Sequence, residues 1–140
     1  MKKFLAMMLA LVMALSLVAC GQQADDGQQG SNDASGDKVI KIGVFEPLSG
    51  DSASGGKKEL LGMQYANSET PTIELNGETY TIELVTSDNG SSSDKAPSAA
   101  SDLVAKGVSL VLGTYGSSAA MAGGPKFGEA GIAAIGVTCT

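Results

Sequence analysis

The sequence predicts an α/β fold in which an open parallel sheet is flanked by helices. Three observations support this class. Runs rich in β-branched and apolar residues recur along the chain, segments with helical spacing separate them, and residues 108–112 form a continuous apolar run. Such a run is typical of a strand buried on both faces of a parallel sheet. Since parallel strands need crossover connections, the alternation indicates right-handed β-α-β units.

Local patterns assign the individual elements. Asn76-Gly77 is a strong hairpin signal between the second and third strands, and Gly107 is expected to end the second helix. Gly123-Gly124-Pro125 is expected to interrupt the third helix, because proline lacks a backbone donor. The last strand is expected to be buried. Strands are predicted over residues 38–45, 72–75, 78–85, 108–112 and 132–137, and helices over 57–67, 94–106 and from Ser117 or Ser118 onward.

Composition excludes several classes of function. The 140 residues carry a net charge of −6 and include no Arg, which argues against a nucleic-acid binder because phosphates need a basic face. His is also absent, so Ser-His and Cys-His catalysis and the commonest metal ligand are missing. The two Cys are too far apart for a zinc ribbon or a disulfide framework. The chain is therefore expected to bind rather than catalyse, with no metal and no cofactor.

The N-terminus has the features of an export signal. Lys2 and Lys3 precede an uncharged run over residues 4–18, shorter than the roughly 20 residues of a membrane span. The run leads into Leu17-Val-Ala-Cys20, which resembles a bacterial lipobox. Cys20 is then expected to be lipidated and to become the new N-terminus. An ordinary signal peptide, or a short anchor with an incidental cysteine, is the alternative.

This pattern divides the chain into a signal peptide over residues 1–20, a polar tether over 21–37 and a folded domain over 38–140. The tether has no aromatic or β-branched residue, so it cannot bury enough apolar surface to offset its ordering entropy. A lipidated cysteine followed by a tether and a domain describes a protein anchored by lipid at the outer face of a bacterial cell membrane.

Polar loops are expected at the edge of the sheet where the parallel strands end, which is where ligands bind in such folds. These loops are residues 46–56, 86–93, 114–118 and 138–140. The most informative one contains Tyr115, Ser117 and Ser118, between a buried strand and a helix start. Amides and the helix dipole there favour an anion such as a carboxylate, and Ser117 adds a hydroxyl donor. The alternative is that Ser117 or Ser118 only caps the helix.

Two further patterns at this edge are weaker. Gly50 and Gly56 are separated by five residues, and Lys58 stands where a phosphate-binding loop needs Ser or Thr. Glu46 and Asp88 are both expected at the same edge, either as an acid–base pair or as loop and cap residues.

Several stretches of the folded domain carry a family resemblance through their order and spacing. They are Ile40–Val44, Pro47–Gly50, Gly62, Asn76-Gly77, Ile82–Val85 with Asp88, Ala100–Gly113, Ser117-Ser118 and Glu129–Ile132, with the run up to Thr140. Together they resemble the periplasmic leucine/isoleucine/valine-binding family, the type I substrate-binding proteins of ABC importers. Those proteins are much longer and close two lobes around a ligand. The resemblance therefore implies part of the first lobe, and the chain is expected to be a fragment.

The resemblance also implies roles for individual residues. The loop matching Ser117 binds the ligand α-carboxylate through a hydroxyl and backbone amides, which brings in Tyr115 and Ser118 from the same loop. The segment matching Thr138 and Thr140 contacts the carboxylate and the α-ammonium group. An aromatic residue that packs on the ligand often precedes a glycine after the first strand, but this chain has Gly55 in that place.

The function implied is that of an extracytoplasmic solute-binding lipoprotein, which captures an amino acid, of branched-chain type or similar, for the membrane permease of an ABC importer. A lipid-anchored sensor that uses the same lobe to regulate a partner is the alternative. An enzyme on a flavodoxin-like sheet is a third class, against which the absence of His and of a phosphate loop argues.

Overall fold

The computed structural model describes residues 38–139. The predicted signal peptide with Cys20, the predicted tether over residues 21–37, and Thr140 lie outside the described residues. Within residues 38–139, no helix has both the length and the apolar character needed to cross a membrane.

A five-stranded sheet flanked by helices forms the centre of the described domain. The elements in chain order are β1 (Val39–Glu46), α1 (Ala53–Glu69), β2 (Thr72–Leu75), β3 (Glu78–Asp88), α2 (Ala96–Ala105), β4 (Leu110–Leu112), α3 (Ser117–Glu129) and β5 (Ala133–Ile135). The strand order in the sheet is β2-β3-β1-β4-β5, and all neighbouring strands are parallel except β2 and β3, which form an antiparallel hairpin. This mostly parallel sheet confirms the predicted fold class.

The predicted turn signals are confirmed at two positions. Asn76 and Gly77 both have positive φ, 54° and 79°, as a two-residue hairpin turn requires. Gly107 has φ 71° just after α2, where only glycine adopts the left-handed conformation without strain. The hairpin joins β2 to β3. The full length of β1 pairs in parallel with β3, from Val39 opposite Thr81 to Glu46 opposite Asp88.

The helix boundaries differ from the prediction. The first helix begins at Ala53 instead of residue 57, because Gly56 packs against Pro47 and this contact outweighs the low helix propensity of glycine. The prediction that Gly123-Gly124-Pro125 interrupts the third helix is wrong, since α3 runs through Pro125 to Glu129. Gly123 is buried against Phe45, so tertiary packing holds the helix together across the proline. The second helix, α2, is two residues shorter at its start than predicted.

The last two strands are shorter and less buried than predicted. In β4, Val111 is fully buried but Leu110 and Leu112 are only half-buried, so burial on both faces is wrong. All three residues of β5 are exposed. β5 is the edge strand of the described sheet, so no described strand pairs with its outer side.

The hydrophobic core lies on one face of the sheet, between the sheet and helices α2 and α3. Phe45 and Phe127 meet there edge to face, with ring centroids 5.4 Å apart. Small residues allow the helices to approach closely. The buried members of this core are Phe45, Ala96, Ala99, Ala100, Leu103, Val108, Val111, Ala119 and Phe127.

Candidate ligand-binding site

The loop after β1 is held in place by Asp88 at the end of β3. Its Oδ1 accepts hydrogen bonds from the backbone amides of Leu48 at 2.8 Å, Ser49 at 3.2 Å and Gly90 at 2.8 Å. Burial opposes ionisation of this carboxyl, but hydrogen bonds from Ser49 and these amides outweigh it and lower the pKa of Asp88. Asp88 is therefore a loop anchor.

Two further contacts join the loops at the carboxyl ends of neighbouring strands. The side-chain amide of Asn89 donates a hydrogen bond from Nδ2 to Thr114 Oγ1 at 2.7 Å, and both side chains are buried. Ser91 Oγ accepts from the Ser52 amide at 3.0 Å and donates to the Ser49 carbonyl at 2.9 Å. The loops after β1, β3 and β4 consequently form one connected edge, at the position predicted from the topology.

Helix α3 begins at this edge directly after Gly116, which occupies the N-cap position with φ 110°. The alternative that Ser117 or Ser118 is the capping residue is therefore wrong, because both lie inside the first turn. Gly116 has no side chain, so the N-cap residue makes no side-chain cap hydrogen bond. Hydrogen bonding within α3 starts with the Ala120 amide donating to the Gly116 carbonyl at 3.3 Å. The amides of Ser118 and Ala119 have no acceptor within the helix.

The Tyr115 side chain lies over Gly55 at the start of α1. A Cβ atom at Gly55 would come within 2.8 Å of three carbon atoms of the Tyr115 ring. Tyr115 as a whole is still 43% exposed, so contact with Gly55 does not bury it. An aromatic group thus stands beside position 55, although it comes from the loop after β4 and not from the loop after β1.

Thr138 reaches the same region from the segment after β5. Its hydroxyl donates to Glu59 Oε1 on α1 at 2.6 Å. This contact ties the segment after β5 to α1. The neighbouring Thr140, predicted for the same site, lies outside the described residues.

A buried carboxyl lies beneath these loops at the end of β1. Glu46 is fully buried, and its Oε2 accepts a hydrogen bond from the Tyr115 amide at 2.8 Å. Burial raises the pKa of Glu46 to about 8; the Tyr115 amide opposes this rise and the nearby Glu59 adds to it. Glu46 therefore meets Glu59 rather than Asp88, so the acid–base pair considered from the sequence does not form. Among residues 38–139, no three Cys, Asp or Glu side chains cluster in a way that could hold a metal ion.

The topology brings Tyr115, Ser117 and Thr138 to the same edge of the sheet, as expected. Asn89, Thr114 and Glu59 also join the loops there, and the sequence reasoning did not single out their roles. In the sequence, Glu59 looks like an ordinary surface residue of a helix. Its contact with Glu46 becomes visible only when α1 is packed against β1.

Comparison with known proteins shows which family the folded domain belongs to. Residues 39–140 match the family model described as periplasmic binding protein. The chain belongs to the periplasmic binding protein family. No curated protein matches the chain.

Solved structures of solute-binding proteins align with this chain. A branched-chain amino acid transporter substrate-binding protein, LivJ, from Streptococcus pneumoniae was solved with isoleucine. It is 33% identical with a TM-score of 0.66, covering 74% of this chain and 30% of that one. The leucine-binding protein LivK from Thermotoga maritima is 28% identical with a TM-score of 0.64, covering 70% and 27%.

A solute-binding protein from Rhodopseudomonas palustris, solved with benzoate, is 29% identical with a TM-score of 0.60 and coverage of 70% and 27%. The present chain therefore spans less than a third of the length of each of these three proteins. The described domain is part of a type I periplasmic binding protein fold.

Proposed function

We propose that the chain is part of an extracytoplasmic solute-binding lipoprotein of an ABC importer, which captures an amino acid of branched-chain type or similar for a membrane permease. The observation that carries this proposal is the family match over residues 39–140. The isoleucine-bound relative, at 33% identity, favours an amino acid, whereas the benzoate-bound relative makes a small aromatic acid the nearest competitor. Both ligands carry a carboxylate.

The start of α3 supports carboxylate binding. Gly116 at the N-cap supplies no capping side chain, and the helix dipole favours a negative charge at this end of α3. Ser117 and Ser118 add hydroxyl groups in the same turn. In the proposed site, Ser117 and Ser118 bind the carboxylate, the exposed part of Tyr115 contacts the ligand side chain, and Thr138 with Thr140 completes the polar end.

Isothermal calorimetry against leucine, isoleucine, valine, polar amino acids and benzoate tests this function. The protein should be the product of the complete reading frame, established by sequencing the DNA beyond the Thr140 codon. Heat with a branched-chain amino acid is the expected result. Binding of benzoate alone would replace the ligand class, and no heat with any amino acid would refute it.

A matched pair of variants tests the site. Ser117→Ala removes one hydroxyl from the proposed carboxylate site and is expected to weaken amino acid binding about 10-fold, the equivalent of roughly 1.4 kcal/mol. Ser109→Ala is the control, because Ser109 is exposed and directly precedes β4, at the opposite edge of the sheet from these loops. Equal affinity in both variants would show that the Ser117 hydroxyl does not bind the ligand. Fatty-acyl labelling of wild type and Cys20→Ser tests the predicted lipid anchor separately.

A further inference from the structure

Two neighbouring carboxyl groups lie beneath the candidate site, and each uses one oxygen to hold a different loop. Glu46 Oε2 accepts the Tyr115 amide at 2.8 Å, and Glu59 Oε1 accepts the Thr138 hydroxyl at 2.6 Å. The remaining oxygens, Glu46 Oε1 and Glu59 Oε2, are buried and have no hydrogen-bond partner among residues 38–139. Buried polar atoms without a partner are rare in folded proteins, so these two oxygens need a physical explanation.

The two carboxyl groups are close enough to hydrogen-bond to each other. Two ionised carboxylates at that distance would repel each other and leave two acceptors facing each other without a proton. One proton placed between them turns one carboxyl into a donor and satisfies both oxygens at once. We propose that Glu46 and Glu59 share a single proton between Glu46 Oε1 and Glu59 Oε2, and that this pair positions Tyr115 and Thr138 for ligand binding.

The surroundings of the pair favour the shared proton. On α1, Lys57 and Lys58 are exposed, and on β3 the paired residue Asp88 is already engaged by loop amides. The described segments after β4 and β5, residues 113–116 and 136–139, carry no charged side chain. Among the causes of the raised pKa of Glu46, burial is the largest, and Glu59 is the charged side chain that contributes.

The role in ligand binding rests on the proposed function, but the shared proton does not. Loss of the proton at high pH would make the two carboxylates repel each other. Since each carboxylate holds one loop, repulsion would separate Tyr115 from Thr138. The pair is thus a set of positioning residues, which act on the ligand through the loops they hold.

Carbon-detected NMR of the glutamate carboxyl groups, titrated from pH 4 to pH 10 in the full chain, tests the shared proton. Glu46→Gln identifies the Glu46 signal by removing it. In wild type this signal is expected to titrate near pH 8. In Glu59→Gln the Gln amide donates to Glu46 permanently and the neighbouring charge is gone, so the midpoint should fall by about one pH unit or more.

Glu69→Gln, an exposed position on the same helix, is the control and should leave the Glu46 midpoint unchanged. A Glu46 midpoint at the ordinary value, or a midpoint that Glu59→Gln does not move, would overturn the shared proton. The Tyr115 amide and the Thr138 signals should follow the same midpoint in wild type. If they do not respond there, the positioning role is refuted.

A second arm links the pair to binding. Wild-type affinity for the amino acid that binds in calorimetry should fall at least 3-fold between pH 7 and pH 9, while Glu46→Gln should hold its affinity over that range. Equal pH profiles would show that the pair does not serve binding. If no amino acid binds at all, the proposed function fails, and the NMR titration still decides whether the proton is shared.

Discussion

On one face of the sheet, α2 and α3 pack together over Phe45 and Val111, and both of these side chains are buried. On the other face α1 is the one helix of residues 38–139 that packs over β1 and β3, and Leu61 and Tyr65 of this helix are 65% and 67% exposed. An open apolar groove of about 630 Å³ remains between α1 and the sheet. The groove is lined by residues of α1, β3, β4 and the segment after β5. The apolar lining residues include Met63, Ala66, Ile82, Leu84, Leu112 and Val137.

The contrast shows that the two faces contribute differently to stability and to the site. The α2–α3 face has close-packed small and aromatic residues, so its contacts depend on shape. The α1 face instead holds the buried Glu46 and its neighbour Glu59, next to the loops of the candidate site. Stability is therefore expected to depend mainly on the first face, and pH sensitivity on the second.

The largest difference is expected between two leucines on opposite faces. Leu103→Ala removes a fully buried side chain of α2 and is expected to lower the free energy of unfolding by about 2–5 kcal/mol. Leu84→Ala removes a half-buried side chain beside the groove and should cost less than half as much. Urea unfolding followed by circular dichroism measures both. Equal losses would mean that the two faces contribute equally.

The pH dependence of stability sharpens the role of the α1 face. The pKa of Glu46 is raised in the folded protein, so the native state holds a proton that the unfolded chain releases above pH 4.5. Stability from this group is complete below about pH 4.5 and is lost as pH rises towards 8, by at most about 1.4 kcal/mol per pH unit. Urea unfolding between pH 5 and pH 8 measures the slope. Glu46→Gln should flatten it, and an unchanged slope would assign it to other groups.

Two adjacent glycines in α3 test the close packing of the opposite face. A Cβ at Gly123 would lie 2.6 Å from the Phe45 ring, so Gly123→Ala is expected to destabilise the fold by about 1–3 kcal/mol. At Gly124, no described atom outside the neighbouring helix backbone lies within 4 Å of such a Cβ, and Gly124→Ala should be neutral or slightly stabilising. Thermal melting of the two variants compares them directly. Equal melting temperatures would indicate that α3 moves away from Phe45 at little cost.

The smallest change in stability is expected for a substitution on the exposed side of α1. Gly62 lies in the middle of α1, and no described atom outside the neighbouring helix backbone lies within 4 Å of the place that an added Cβ would take. Gly62→Ala should therefore stabilise the fold by about 0.5–1 kcal/mol. The increase comes from lower conformational entropy of the unfolded chain. A loss of stability would show that α1 is packed more tightly at Gly62 than its exposure indicates. Differential scanning calorimetry resolves a change of this size.

Much of the fold could be predicted because its signals are local. The Asn76-Gly77 turn and the β-branched run of β1 depend on neighbouring residues, and both lie where the pattern predicted. The break predicted at Gly123-Gly124-Pro125 is wrong, because the helix there depends on packing against Phe45, which is distant in the sequence. The burial of β5 was misjudged for a similar reason, because exposure depends on which strand forms the edge.

The candidate site could be predicted only as a set of loops. The rule that ligands bind at the carboxyl ends of parallel strands selected the loops of residues 114–118 and 138–140 from the element order, and the family resemblance singled out Ser117 and Thr138 within them. It could not show that Tyr115 lies over Gly55, nor that Glu46 meets Glu59 instead of Asp88. Those pairings depend on side-chain directions across three or more elements.

The sequence by itself determined the class of fold, the order of its elements and the edge at which a ligand is expected, because periodicity, turn residues and crossover handedness are local or topological properties. Only the tertiary structure decided which face is closely packed, which residue caps α3 and which carboxyl groups meet. Burial and desolvation arise when distant segments come together, and they control both the stability of the α2–α3 face and the proton affinity of Glu46.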